Sequence, residues 1–226
     1  MKIIHFNEID STNAYLIREH ASLDNMTICE ADFQSAGKGR EDRVWLSKRY
    51  ANVMFSILIK DKELIDKYAA LSVITGLLVR NYIASYEIDN VTVKWPNDVY
   101  VNDKKICGIL LQGQIPNYLV IGVGINVNQT EFDGNYRKTP TSVLLETNRI
   151  IDLRRFKKGL YIYIDEQLDL FKRGLYDPLN EIRKYNYLKG KETDLGKVVD
   201  INFDYSLKVE TNDGMKDIST GEIREK

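Results

Sequence analysis

Residues 118–128, YLVIGVGINVN, restrict this chain more than any other segment. From Ile121 onward the run alternates strictly. Ile121, Val123, Ile125 and Val127 fall on one face, and Gly122, Gly124, Asn126 and Asn128 on the other. A period of two is the pattern of a strand with one apolar face. Glycines inside a strand leave nothing to pack on their own side, so another group must approach closely there. Two readings follow: a ligand lies over the glycines within reach of the two amides, or a helix packs tightly against them while Asn126 and Asn128 enter a turn.

A second segment, residues 94–110 (KWPNDVYVNDKKICGIL), is broken rather than continuous. Val91-Thr92-Val93 leads in as a strand, and Pro96 stops it because proline cannot donate to a ladder. A polar turn at Asn97-Asp98 is expected next. A hairpin around Asn102-Asp103 then returns Lys104 and Lys105 ahead of an apolar run over 106–111. Lysines, a carboxylate and an amide are thereby gathered on strand ends, which suits a small anionic ligand and a metal ion.

Two further stretches carry chemistry. Asp10-Ser11-Thr12-Asn13 offers four consecutive helix-capping side chains before Ala14-Tyr15-Leu16-Ile17, although a helix needs only one cap. The excess leaves hydroxyls and an amide for another purpose, or simply marks a well-capped helix. Loop 34–45, QSAGKGREDRVW, joins Gln34 and Trp45 through Gly37, Lys38, Gly39, Arg40 and Arg43. Its glycines permit close backbone approach, and its cations suit phosphate or carboxylate. It lacks the GxxxxGK[ST] spacing of a Walker loop.

The remaining pattern supplies the scaffold. Strands are expected over residues 3–10, 27–33 and 52–60, the last rich in apolar residues (NVMFSILIK). Leu64, Tyr68, Leu71, Ile74, Leu78 and Tyr82 form one apolar stripe of a helix over 63–86. Leu153, Phe156, Leu160, Ile164, Leu168 and Phe171 form another, with Gly174 as its C-cap and Pro178 opening a short helix. Beyond Lys189-Gly190 the texture changes. Val199, Ile201 and Phe203 alternate, as do Leu207 and Val209, and Asn212-Asp213-Gly214 signals a hairpin, so a β module of four or five strands ends the chain.

Composition narrows the function classes. With 226 residues the chain can hold one moderate domain and a small one. A net charge of −1 gives no overall footprint for nucleic acid. Cys29 and Cys107 show no metal spacing, and His5 and His20 sit in no motif, so zinc or Ser-His-Asp chemistry is not expected. No signal core or membrane span is evident, and a cytoplasmic protein is expected.

Taken together, the DSTN run, loop 34–45, KWPND, Lys105 with Gly108-Ile109-Leu110, and GVGINVN resemble the biotin protein ligases in order and separation. The resemblance implies an α+β fold: a catalytic domain like those of class II aminoacyl-tRNA synthetases and biotin synthetases (a mixed sheet with flanking helices) over residues 1–187, and a C-terminal SH3-like β barrel over 188–226. It implies two reactions, biotin plus ATP to biotinyl-5′-AMP, then transfer of biotin to a lysine of a biotin carboxyl carrier domain. Such a reaction needs charge neutralisation and alignment rather than a nucleophile.

By the same resemblance Ser11, Thr12, Asn13, Gln34, Gly37, Lys38, Gly39, Arg40, Lys105 and Gly108 bind biotin. Arg40, Arg43, Trp45, Lys94, Asn97, Lys105, Asn126 and Asn128 bind ATP or the adenylate. Lys105, Arg40 and Asp98 carry catalysis, with Asp98 also holding Mg²⁺. Family loops usually read GRGRxGR; here Lys38 replaces the first arginine and Glu41-Asp42 stand where basic and glycine residues are common. Asp42 is expected to face solvent or to pair with Arg43 or Lys38. The chain starts at the catalytic domain, so the monofunctional class without an N-terminal DNA-binding domain, and no binding of DNA or membrane, are expected. Relatives' pairing through sheet edges makes a homodimer an expectation, although no edge strand can be picked from the sequence. The alternatives are a lipoate or octanoate ligase of the same fold and a non-catalytic biotin sensor.

Overall fold

The computed structural model describes residues 1–41, 43–134 and 136–225. In chain order the elements are β1 (Ile3–Phe6), α1 (Thr12–Glu19), β2 (Ile28–Ala31), β3 (Val53–Ile59), α2 (Lys62–Ile65), α3 (Tyr68–Ala84), β4 (Val91–Lys94), β5 (Asp98–Val101), β6 (Lys104–Gln114) and β7 (Tyr118–Ile125). There follow α4 (Val143–Thr147), α5 (Leu153–Lys172), α6 (Leu179–Lys184), β8 (Glu192–Thr193), β9 (Gly196–Ile201), β10 (Leu207–Thr211) and β11 (Gly214–Ile218). Strands β1 to β7 form one seven-stranded sheet in the order β1-β2-β3-β7-β6-β5-β4, parallel only between β1 and β2. Strands β8 to β11 form a separate four-stranded antiparallel sheet. Among the described residues no helix is long and apolar enough to cross a membrane.

The alternating run becomes β7, buried along its whole length between β3 and β6. Its odd-numbered residues Ile121, Val123 and Ile125 join the main core with α3 and α5, as the period of two requires. Its even-numbered residues face the other way, where α1 packs against β2, β3 and β7. One edge of the sheet is covered, because Val93 of β4 exchanges backbone hydrogen bonds with Tyr185 and Tyr187. Of the same sheet, β1 pairs with β2 alone.

Several expectations are corrected. The first two strands are shorter than expected, and the helix expected over 63–86 divides into α2 and α3. Tyr68 is 47% exposed rather than part of the core stripe. Helix α3 is buried on most of its circumference because β4, β5, β6 and α5 all pack on it, so a one-faced stripe understates it. In the C-terminal sheet Val198 and Ile201 are the buried pair, whereas Val199 is half-buried and Phe203 is 83% exposed beyond the strand. The cause is a bulge. Lys208 pairs with Asp200 but Val209 with Val198, so Val199 is an extra residue that reverses the alternation. The Asn212-Asp213 turn, the Gly174 positive φ after α5, and the helix after Pro178 are where the sequence put them.

One buried ionic cluster ties α5 to the sheet. Glu30 of β2 accepts from Tyr161 Oη at 2.6 Å and from Lys157 Nζ at 2.8 Å, and lies 2.9 Å from His5 Nδ1. Burial opposes its ionisation, but the Lys157 and Tyr161 hydrogen bonds outweigh that and hold the carboxyl below its usual value. Its contribution to stability is therefore complete above the ordinary glutamate pKa and is lost as pH falls through the lower folded value. Glu30→Gln should lower unfolding stability by about 3 kcal/mol at neutral pH, since it leaves Lys157 without its buried partner. In chemical denaturation it should also flatten the acid limb of the stability profile, and an unchanged acid limb would remove Glu30 from that role.

Candidate active site

A cavity of about 910 Å³ opens on the sheet face away from α3 and α5. Cross-strand register builds its floor. Ser56 of β3 pairs with Gly122 of β7, which pairs with Leu110 of β6; one step along, Gly124 pairs with Gly108. Partners in register point to the same face, so three glycines and a small hydroxyl lie close together. The space above them is filled by protein. A Cβ on Gly122 would stand 2.1 Å from Asn13 Oδ1, and one on Gly124 would stand 2.5 Å from the Trp45 indole. The close approach expected at these glycines is thus made by side chains that themselves line the cavity.

At one end α1 begins. Ser11 caps it, its hydroxyl accepting from the Ala14 N–H at 3.4 Å. Ser11, Thr12 and Asn13 are all buried yet line the cavity. Gln34 Oε1 accepts from the Thr12 backbone N–H at 2.8 Å and stands 3.1 Å from Thr12 Oγ1. Asn13 is fully engaged inside the protein: it accepts from Ser56 at 2.6 Å and donates to Gln112 at 2.9 Å. Its amide thus also braces the polar end from within the protein.

The other end is cationic. Lys105, on the second residue of β6, donates to Asp98 Oδ1 at 2.7 Å, and its ammonium lies 5.9 Å from the Trp45 ring centroid. Loop 34–45 folds as a small hairpin: Gly39 N–H donates to Arg43 O, and Trp45 N–H to Gly37 O. Arg40 donates to Asn97 Oδ1 at 3.0 Å and to Gly221 O at 2.9 Å, joining the hairpin to the turn after β4 and to the C-terminal segment. Asp42 lies outside the described residues. Arg43 and Arg137 converge on Glu222, while Lys94, Lys138 and Lys191 converge on Glu225. Burial would raise the Glu222 carboxyl, but the Arg137 hydrogen bond and the Arg43 charge outweigh it and hold it down at about 2. Glu225 is likewise lowered, by Lys138 and Lys191 against its burial. Burial pushes the Lys94 ammonium down, with Glu225 and Asp98 opposing.

Ser11, Thr12, Asn13, Gln34, Lys38, Gly39, Arg40, Arg43, Trp45, Lys94, Asn97, Asp98, Lys105, Gly108 and Asn126 therefore line one cavity. Two expected site residues do not. Gly37 is paired with Trp45 within the hairpin, where a Cβ would meet Trp45 O at 2.7 Å. Asn128 donates to Ile151 O and accepts from Ile151 N–H, so it fastens the segment before α5. Asp98 opens β5 instead of sitting in the turn, which falls at 95–97. Unforeseen were Ser56 and Gln112 beneath the polar end, and Arg137, Lys138, Glu222 and Glu225 on the wall. Ser56 had a signal, as the one hydroxyl within the buried strand VMFSILI. The tail glutamates had none.

The charge at this end fits a polyanion, and no histidine or cysteine lines the cavity among the described residues. No cluster of three metal-binding side chains occurs among them either. The Asp98 carboxylate, with Lys105 on one oxygen only, suits a magnesium ion whose other ligands are phosphate and water.

Comparison with known proteins agrees with this geometry. The model of the biotin/lipoate A/B protein ligase family matches residues 6–126. The bifunctional ligase/repressor BirA of Escherichia coli is 31% identical over 169 residues, covering 73% of this chain and 53% of its own length. The Salmonella typhimurium BirA is also 31% identical, over 78% of this chain and 57% of its own. The chain thus spans little more than half of these curated relatives. A solved biotin protein ligase from Aquifex aeolicus, in complex with biotin and ATP, superposes with a TM-score of 0.84 at 28% identity, covering 100% of this chain and 98% of that one. The family match spans more than half of the chain and includes the α1 N-terminus, the hairpin and the glycine floor: this chain belongs to the biotin/lipoate A/B protein ligase family.

Proposed function

We propose that the protein joins biotin to ATP, giving biotinyl-5′-AMP and pyrophosphate, and then passes the biotinyl group to a lysine of a biotin carboxyl carrier domain. The observation that carries this reading is one cavity with a buried hydrogen-bonding end and a cationic end, joined by a glycine floor under Trp45. Its polar end suits the ureido head, the stretch between Asn13 and Trp45 suits an aliphatic tail, and the cationic end suits a carboxylate meeting a triphosphate. On this reading residues 1–187 form the catalytic domain and 188–226 an SH3-like module whose last residues complete the cationic wall.

In the first step a biotin carboxylate oxygen attacks the α-phosphorus, a new P–O bond forms, and the bond to the β-phosphate breaks with pyrophosphate leaving. Two anions must be brought together, so the chain's task is to neutralise and align them. Lys105 sits where it can hold the carboxylate and the α-phosphate, and Asp98 holds its ammonium in place. Asp98 would also be the residue to hold Mg²⁺, which when bound screens phosphate charge. Arg43 and Lys94 face the remaining phosphates. Trp45 and the hairpin cover the tail and keep water from the mixed anhydride. In the second step the acceptor lysine amine attacks the biotinyl carbonyl, AMP leaves, and the amine loses its proton.

The decisive experiment mixes the protein with biotin, MgATP and a carrier domain and reads covalent biotin, with lipoate as the parallel substrate. Biotin-dependent exchange of pyrophosphate into ATP should appear without any carrier. Its absence, or a preference for lipoate, would sink the reading. Lys105→Ala should reduce that exchange by about 100-fold or more while moving the melting temperature little, because its role is charge stabilisation at a half-exposed strand end. Equal loss of exchange and of fold would speak against the assignment.

Arg40→Gly removes the two bonds from the hairpin to Asn97 and Gly221. It should let biotinyl-5′-AMP escape, raising biotinylation of bystander proteins about tenfold or more, since each lost charged hydrogen bond alone is on that scale. Selectivity equal to that of the wild type would contradict the covering role.

A further inference from the structure

Beneath the polar end lies a row of hydrogen bonds whose direction can be settled by counting protons. The Leu110 carbonyl only accepts, so the Asn13 amide nitrogen faces it, at 3.4 Å, and the Asn13 oxygen faces Ser56. Ser56 must then donate to Asn13, across 2.6 Å. Having spent its proton, Ser56 can only accept across the 2.7 Å contact with Thr12 Oγ1. The single Thr12 hydroxyl proton therefore points down, toward Ser56. None remains for the 3.1 Å contact between Thr12 Oγ1 and Gln34 Oε1. The Thr12 backbone N–H, in turn, fixes the Gln34 oxygen rather than its nitrogen at that place.

Two acceptor oxygens thus stand side by side at the cavity wall with no proton between them. Such a pair is costly when buried unless a donor comes to it. We propose that Ser56, which does not line the cavity, is a positioning residue: by drawing the Thr12 proton inward it makes Thr12 and Gln34 a paired acceptor that selects a head group offering an N–H. This assignment rests on the biotin reading of the same cavity and sharpens it. A cyclic urea supplies N–H donors, whereas a dithiolane or an alkyl end supplies none, so the row distinguishes between the two kinds of acid that the family name covers.

Ser56 is completely buried, in register with Gly122 and held between Thr12 and Asn13, so nothing but these neighbours orients it. Replacing it with alanine frees the Thr12 proton to turn toward Gln34 Oε1. The acceptor pair then becomes an internally satisfied donor–acceptor pair, and the need for a ligand donor disappears.

The test is direct binding by calorimetry without ATP, using biotin and an isosteric analogue whose ureido N–H groups are replaced by CH₂. Ser56→Ala should weaken biotin about tenfold, on the scale of one hydrogen bond to a buried group, and leave the analogue nearly unchanged, so that their affinity ratio shrinks. Ser56→Cys, whose S–H donates weakly to Asn13 and whose sulfur accepts weakly from Thr12, should give an intermediate ratio. Equal weakening of both ligands by Ser56→Ala would overturn the proposal, as would a Cys variant no different from Ala. Binding of biotin with this pattern but without pyrophosphate exchange would leave the row standing and remove the ligase reading. A wild-type protein that does not bind biotin overturns both.

Discussion

The site depends on one constraint in the sheet: β3, β7 and β6 must pair so that Ser56, Gly122 and Leu110, and beside them Gly124 and Gly108, share a face. Because side chains alternate, a slip of one residue in β7 would turn Ile121 and Val123 toward the cavity and the glycines into the core. The apolar layer against α3 and α5 prevents that slip, so core packing and site geometry are set by the same register. Asn13 and Trp45 can then come down onto the sheet, and their positions define the polar end and one wall of the cavity.

The opposite end is organised by charge. Five of its cations meet two glutamates of the last segment, Glu222 and Glu225, and Arg40 reaches the Gly221 carbonyl. Isolated exposed pairs contribute little to stability, but a network around partly buried carboxylates fixes long side chains in place. The C-terminal sheet is joined to the seven-stranded sheet beside this end, through the Trp95 indole N–H donating to Tyr205 O and, just before it in the chain, the Tyr187 N–H donating to Val93 O of β4. The cationic end of the cavity and the docking of the small sheet therefore draw on shared residues.

Much of this was legible in the chain. Alternation identified β7, capping residues identified the start of α1, Pro96 marked the break after β4, and the lysines, carboxylate and amide of residues 94–105 were expected to gather on strand ends, where Lys105 and Asp98 do meet. The misplacements share a cause. Asn128 fits the polar face by period, yet β7 ends at Ile125 and the chain turns, so its amide serves Ile151. Phe203 fits an alternating strand, but the bulge at Val199 shifts the phase. Periodicity holds only while the element continues.

The sequence by itself determined the local pieces: which faces are apolar, where strands and helices stop, and which short stretches carry more polar groups than folding requires. Only the tertiary structure decided how those groups are spent. Asn13 turns inward because Ser56, Gln112 and the Leu110 carbonyl surround it, and the glutamates of the last turn join the cavity because the small sheet docks beside β4. Both outcomes rest on contacts between residues far apart in the chain, and a hydrogen bond's direction depends on every partner around it, which no local pattern encodes.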